Sequence, residues 1–191
     1  LASTLLVTTE TRDARADAAS ISFDTSSISL TSIGASQTVT MSVTGLTPAA
    51  AGGQIHLQHS ANLTITSPGA FCTGVMSFAT VPLGPQIDPG GEGGTLVGCS
   101  AIGQESADPA TGTFLQVVVT RVAGVGDETI TLVGDGLFPS KFSTGIPVTD
   151  IPITDLSDTM DVVGFNLPTA PASATAVSTK SMTIDLSWPA A

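Results

Sequence analysis

Residues 37–44 read Gln37-Thr38-Val39-Thr40-Met41-Ser42-Val43-Thr44, with an apolar side chain at every second place and a hydroxyl or amide between. In an extended chain successive side chains point to opposite faces, so Val39, Met41 and Val43 share one face and Thr38, Thr40, Ser42 and Thr44 the other. On a helix the same residues would be scattered around the circumference. The stretch is therefore a half-buried strand, and its apolar face requires a second layer to cover it.

The same period recurs on both sides of this stretch. Leu115, Val117 and Val119 alternate within 113–122, and further strands are predicted over 21–24, 28–31, 53–58, 63–66, 75–80, 128–133, 147–153 and 159–165. Turn-rich stretches separate them, at 48–53, 85–94 and 124–127. Many short strands with Gly and Pro punctuation describe an all-β, antiparallel sandwich. The Ala-rich run 12–19 reads as coil or turn, and Pro89-Gly-Gly-Glu-Gly-Gly as a mobile loop tip, because it lacks the Lys and the following helix of a phosphate loop.

Composition narrows the function. With 191 residues and 41% apolar residues the chain builds a core. Five Lys and Arg stand against sixteen Asp and Glu, a net charge of -11 that repels nucleic acid and anionic membranes. No run approaches the roughly 20 apolar residues of a membrane span. One Trp, seven Phe and no Tyr leave little material for aromatic sugar-stacking platforms. Cys72 and Cys99 form an even pair in Gly-rich surroundings. A disulfide is the expectation for an exported protein, two unpaired thiols being the other reading. This points to a secreted, extracellular or cell-surface chain. Ala16-Asp17-Ala18 has the small-x-small form of a signal-peptidase site, but the polar run 8–17 separates it from the apolar residues 1–7.

Catalytic groups are scarce. His56 and His59 are the only histidines, and strand alternation turns His56 away from Ile55 and Leu57, toward solvent or an interface. No nucleophile elbow, zincin or phosphate-loop motif occurs, so neither an enzyme nor an organic cofactor is expected. Asp150, Asp155, Asp158 and Asp161 are hard oxygen ligands close in sequence and form a calcium candidate, without EF-hand spacing. Asn62-Leu63-Thr64 has the N-x-T form of a glycosylation acceptor.

Two resemblances follow from particular residues. Gly53-Gln-Ile-His-Leu-Gln-His-Ser-Ala-Asn-Leu-Thr-Ile resembles the cohesin and cohesin-like family of secreted sandwich modules, in which a G-x-x-x-L strand precedes a short turn and an apolar residue. The two strands and Gln37-Thr-Val-Thr-Met-Ser-Val within 21–43, and Gly112-Thr-Phe-Leu-Gln-Val-Val-Val leading to Glu128-Thr-Ile-Thr-Leu, resemble other parts of the family. The resemblance implies a jelly-roll-like sandwich over 20–166 and a dockerin as partner. Gln58, His59 and Ser60 stand where the family commonly has an aromatic, an Asp and a Pro. Farther on, Pro168-Thr-Ala-Pro, Ala174-Thr-Ala-Val-Ser and Ser181-Met-Thr-Ile-Asp-Leu-Ser-Trp resemble the first two strands of a fibronectin type III module.

The expected organisation is an extension over 1–19, the sandwich over 20–166, a Pro, Ala, Ser and Thr linker over 167–180, and a terminal strand over 181–191. Met182, Ile184, Leu186 and Trp188 fall on one face of that strand, which needs a sheet to join. Donated to a neighbour by β-augmentation, it would make the chain the structural subunit of an extracellular filament or surface polymer, a head-to-tail homopolymer. Leu1, Leu5 and Val7 are a second candidate donor. The alternative is a cohesin-type recognition module that binds dockerin or carbohydrate within a secreted multimodular scaffold.

Overall fold

The strand read over 37–44 is the middle of a longer one, β3 (Ser36–Leu46), whose Val39, Met41 and Val43 are buried while Thr38 and Thr44 are exposed. The computed structural model describes residues 19–68, 72–79, 81–101, 103–156, 158–166, 175–180 and 183–187, with backbone alone described at 154–155 and 175–187.

β3 lies at the centre of a five-stranded sheet. Its neighbours are β1 (Ala19–Phe23) and β8 (Ala110–Arg121), and β12 (Ile153–Asp155) and β5 (Leu63–Thr66) form the edges, in the order β12-β1-β3-β8-β5. Cross-strand pairs set the register: Val39 faces Val117, Met41 faces Leu115, and Ile21 faces Val43. A one-residue slip would turn every one of these apolar side chains to solvent, so the pattern specifies the pairing.

The second sheet has eight strands, built around β4 (Gly52–Gln58). One side of β4 pairs with β7 (Thr95–Ser100), which carries the edge strand β6 (Val81–Ile87). The other side is shared. β10 (Lys141–Ser143) takes its first residues and β9 (Glu128–Leu132) its last two. β11 (Asp150–Ile151) extends the sheet beyond β10, and β13 (Thr159–Val163) and β2 (Ser27–Ser29) extend it beyond β9. The pairings of β1 with β12 and of β2 with β13 are parallel and the others antiparallel.

Between the sheets Ile55, Leu57, Ile130, Phe142, Met160 and Val162 meet the buried face of β3 and β8. Full burial of such side chains stabilises by about 1.5–3 kcal/mol each. Phe114 and Phe142 pack edge to face, with centroids 4.9 Å apart and planes at 67°. Gly53 makes room for them: a Cβ there would sit 2.5 Å from the Phe142 ring and 3.0 Å from Phe114. Two devices close the flanks. The chain crosses from β11 to β12 at Pro152, whose carbonyl accepts a hydrogen bond from Ala19 N at 3.2 Å. Elsewhere Cys72, bridged to Leu115 of β8, forms a disulfide with Cys99 of β7.

The all-β sandwich expected from the sequence is the observed fold. Several local expectations change. The strand predicted over 75–80 gives way to a 3-10 turn, Gly74–Met76, with Met76 buried under β8. The stretch 85–94 begins as strand, because β6 runs through Pro82 and Pro85 at the sheet edge, where a missing N–H costs no ladder bond. The stretch 147–153 splits at Pro152 into β11 and β12. Within 167–180, read as linker, Thr175–Lys180 is a strand (β14) pairing antiparallel with β15 (Thr183–Ser187) as a separate two-stranded sheet.

Candidate functional site

The outer face of the second sheet divides into a covered half and an open half. Gly52, Gln54 and His56 of β4 face outward, opposite Ser100, Gly98 and Leu96 of β7. His56 was expected in solvent or at an interface, yet it is fully buried. Two loops far away in sequence cover it. From the hairpin loop between β6 and β7, Gly93 O accepts from His56 Nε2 at 2.8 Å. From the excursion between β9 and β10, Ser140 Oγ accepts from His56 N at 3.0 Å and Pro139 O accepts from Gln54 Nε2 at 2.9 Å. Glu92 joins the two loops, its carboxylate accepting from Leu137 N at 2.8 Å and Phe138 N at 3.2 Å. The Gly-rich tip read as mobile is thus pinned by Glu92, by Asp88 Oδ1 accepting from Gly93 N at 2.6 Å, and by buried Pro89.

The open half lies toward the start of β4. Gly52, Ser100 and Ser143 make a floor of small residues, and Leu83, Ile146 and Val148 rise around it. The main hollow is about 340 Å³ and continues past Gly103 and Glu105 into another of about 300 Å³. Ile146 is 93% exposed and Val148 75%, although both are large and apolar. Glu105 holds the loop by accepting from Gly145 N at 2.8 Å. At the rim Lys141 pairs with Asp150 at 3.2 Å. Sequence reading missed this groove, because its floor is Gly and Ser from three strands and its apolar wall was assigned to a strand over 147–153. The available signal was the Gly145-Ile146-Pro147-Val148 run, apolar residues set in turn residues.

A polar network occupies the far end of the sandwich. His59 Nδ1 donates to Ser60 O and His59 Nε2 accepts from Thr95 Oγ1, both at 2.8 Å. Burial favours the neutral ring and holds the His59 pKa below the ordinary histidine value, outweighing the Ser60 carbonyl, which favours the protonated form. Burial pushes the Glu128 carboxyl up, but hydrogen bonds from Asn62 and Ser60 and the charge of Arg121 outweigh it, so its pKa lies below the usual glutamate value. Arg121 is fully buried, its Nε donating to Leu30 O and Nη2 to Gly126 O, both at 3.0 Å. It fastens two turns to the core.

The other sequence-derived sites are dispersed. Asp150 is engaged by Lys141, Asp158 Oδ2 accepts from Phe23 N at 2.7 Å, and Asp161 lines an acidic cleft with Asp127 and Glu128. The Asp155 side chain lies outside the described residues, and among those described no three His, Cys, Asp or Glu converge on a metal position. Asn62 Nδ2, the nitrogen a glycan would take, donates to Glu128 Oε1 at 2.6 Å. Of the expected assembly residues, Ile184 and Leu186 lie on β15, where backbone alone is described. Met182, Trp188, Leu1, Leu5 and Val7 lie outside the described residues.

No protein-family model matches the chain, and no curated protein matches it. Solved structures do. A non-cellulosomal cohesin from Archaeoglobus fulgidus aligns with TM-score 0.52 at 14% identity, over 76% of this chain and 91% of that one. The third cohesin of ScaC from Acetivibrio cellulolyticus, solved in complex with the ScaB dockerin, aligns with TM-score 0.53 at 12% identity, over 78% and 99%. A type III cohesin from the cell-surface anchoring scaffoldin ScaE of Ruminococcus flavefaciens gives 0.53 at 12%, over 78% and 88%. The chain therefore has a cohesin-like fold.

Proposed function

We propose that the chain is a non-catalytic recognition module of a secreted assembly, which binds a partner protein through the open half of the outer face of its second sheet. The cohesin-like fold carries this reading, since one of the similar structures holds a dockerin. The groove supports it: a floor without bulky side chains admits close approach, and exposed Ile146 and Val148 offer apolar area at a rim. Carbohydrate is less suited, because no aromatic side chain lines the groove among the described residues. The partner is a dockerin-like module, and a net charge of -11 favours one with cationic groups.

Calorimetric titration of the chain with dockerin-type modules tests this. Saturable binding is expected, weakened at least tenfold by Ser100→Trp on the groove floor and unchanged by Thr38→Trp on the outer face of the first sheet. Equal binding by both variants would move the site elsewhere.

A second reading is the head-to-tail homopolymer by strand donation. It is favoured by the β14–β15 ribbon, which we read as the opening strands of a fibronectin type III-like module. Among the described residues no third strand joins it; a two-stranded ribbon by itself is marginal in water, and unpaired strand edges accept a further strand. Electron microscopy of the purified chain decides between them: filaments that vanish with Leu186→Pro favour donation, and monomers favour the recognition module.

A further inference from the structure

We infer that the hollow between Gly103 and Ile146 is a socket for an arginine side chain of the partner, with the stem lying on Ile146 and the guanidinium on the Glu105 carboxylate. This deepens the recognition reading above and rests on it for the source of the arginine.

The socket is small and has two unlike ends. It is the hollow of about 300 Å³ lined by Gly103, Glu105, Gly145 and Ile146, continuous with the main groove past the two glycines. One end is apolar, because Ile146 projects into solvent, and the other is the exposed carboxylate of Glu105. Glycine at 145 allows the two to meet: a Cβ there would stand 2.8 Å from Glu105 Oε1.

Both ends are fixed before a partner arrives. Ser106, next to Glu105, is buried, its N donating to Ala50 O at 2.8 Å and its Oγ accepting from Ala50 N at 3.0 Å. Across the hollow, Thr144 N donates to Thr149 O at 2.9 Å. Thr144 Oγ1 donates to Pro147 O at 2.8 Å and accepts from Thr149 N at 3.0 Å, which closes the loop that carries Ile146. The bond from Gly145 N to Glu105 Oε1 ties the two walls together. A side chain thus enters a formed site, and the cost of ordering the loop has already been met.

That bond occupies one carboxylate oxygen of Glu105. Among the described residues the ion pair formed is Lys141 with Asp150, so Glu105 has no counter-charge there. An anionic group beside an exposed aliphatic one, in a chain of net charge -11, calls for a cation carried on an apolar stem. Arginine suits the socket better than lysine. Its guanidinium is the more weakly hydrated, so it gives up less on entering a hollow with an apolar wall, and its planar fork matches a carboxylate.

The test needs no partner protein. N-acetyl-arginine amide is titrated into the isotopically labelled full chain while backbone amide NMR shifts are followed, with N-acetyl-lysine amide and uncharged N-acetyl-norleucine amide in parallel. Saturable shifts centred on Gly103, Gly145 and Ile146 are expected, with arginine bound about threefold more tightly than lysine and norleucine not bound. Glu105→Gln keeps an oxygen for Gly145 N, and so keeps the loop, yet should weaken arginine binding about fivefold. Ile146→Ser, at an exposed site without risk to folding, should weaken it about threefold by removing the surface on which the stem lies. Asp161→Asn, in the acidic cleft with Asp127 and Glu128, should leave it unchanged. Arginine binding that survives Glu105→Gln, or equal shifts with norleucine, would overturn the inference. Shifts centred on the acidic cleft would overturn it as well. The recognition reading fails separately, if dockerin-type modules do not bind while the arginine shifts appear.

Discussion

Gly53 carries more of the fold than its lack of a side chain suggests. It lies on the inner face of β4, and the rings of Phe142 and Phe114 occupy the volume its Cβ would take. Gly53→Val must push two packed aromatics off their positions, and overpacking of this kind costs about 1–3 kcal/mol. Thermal unfolding should fall by roughly 3–10 °C, at about 2–4 °C per kcal/mol for a chain of this size. By contrast, Gly103→Ala, where a Cβ meets nothing within 4 Å, tests only the cost of a positive φ and should lose less. The His59 network sets the pH response. His59 and Glu128 both have folded pKa values below their ordinary ones, so the unfolded chain binds more protons than the folded one. Stability is therefore full above about pH 6.5 and falls on acidification, first through His59 and then, below about pH 4.5, through Glu128. Urea unfolding between pH 8 and pH 4 should show this decline, and His59→Gln should flatten its upper part while leaving the lower part intact. Alternation correctly placed His56 on the outer face of β4. That the face is covered was not legible, because the covering carbonyl and hydroxyl come from residues 37 and 84 positions away.

Elements with a strong period were legible and those shaped by their neighbours were not. β3 and β8 declare themselves by alternation over eight residues or more. β7 and β10 do not, because Gly98 and the brevity of Lys141–Ser143 break the pattern, and both exist as strands through pairing with β4. β6 hides behind Pro82 and Pro85, tolerated because β6 is an edge. The same residues blunt that edge against pairing with other chains. The disulfide does for the segment after β5 what packing does for the central strands. It joins Cys72, beside β8 in one sheet, to Cys99 of β7 in the other, across a sequence separation of 27. On the chain-entropy model a loop of that size stabilises by about 3.5 kcal/mol. Replacing both cysteines with Ala should lower stability by about 2–4 kcal/mol in denaturant titrations. Adding reductant to the unsubstituted chain should reproduce the loss, and the double variant should not respond to reductant at all. If reductant destabilises the variant equally, the effect does not come from this bond.

For the whole molecule the dominant long-range term is self-repulsion. Sixteen acidic groups face five basic ones, and of those five Arg121 is buried in the core. Among the described residues one ion pair forms, Lys141 with Asp150, and with side chains 42% and 64% exposed it contributes at most about 1 kcal/mol. Salt weakens both terms, so their relative size decides the sign of the response. The Debye length falls from about 30 Å at 0.01 M to about 3 Å at 1 M, which removes the mutual repulsion of carboxylates spread over the surface. A single exposed pair has little to lose in comparison. Added sodium chloride at neutral pH should therefore raise the unfolding temperature by several degrees, about 5 °C if roughly 2 kcal/mol of repulsion is relieved. Lys141→Gln removes the one described attractive pair and makes the charge one unit more negative, so its response to salt should be slightly steeper than that of the unsubstituted chain. A flat or falling profile would mean that attractive pairs outweigh the repulsion. The same field bears on partner choice, because an acidic partner must approach against it while a cationic one is drawn in, with an association rate that drops as salt rises. Measuring thermal stability and association rate over one salt series would thus separate the two roles of a single charge distribution: unfolding temperature rising and association slowing.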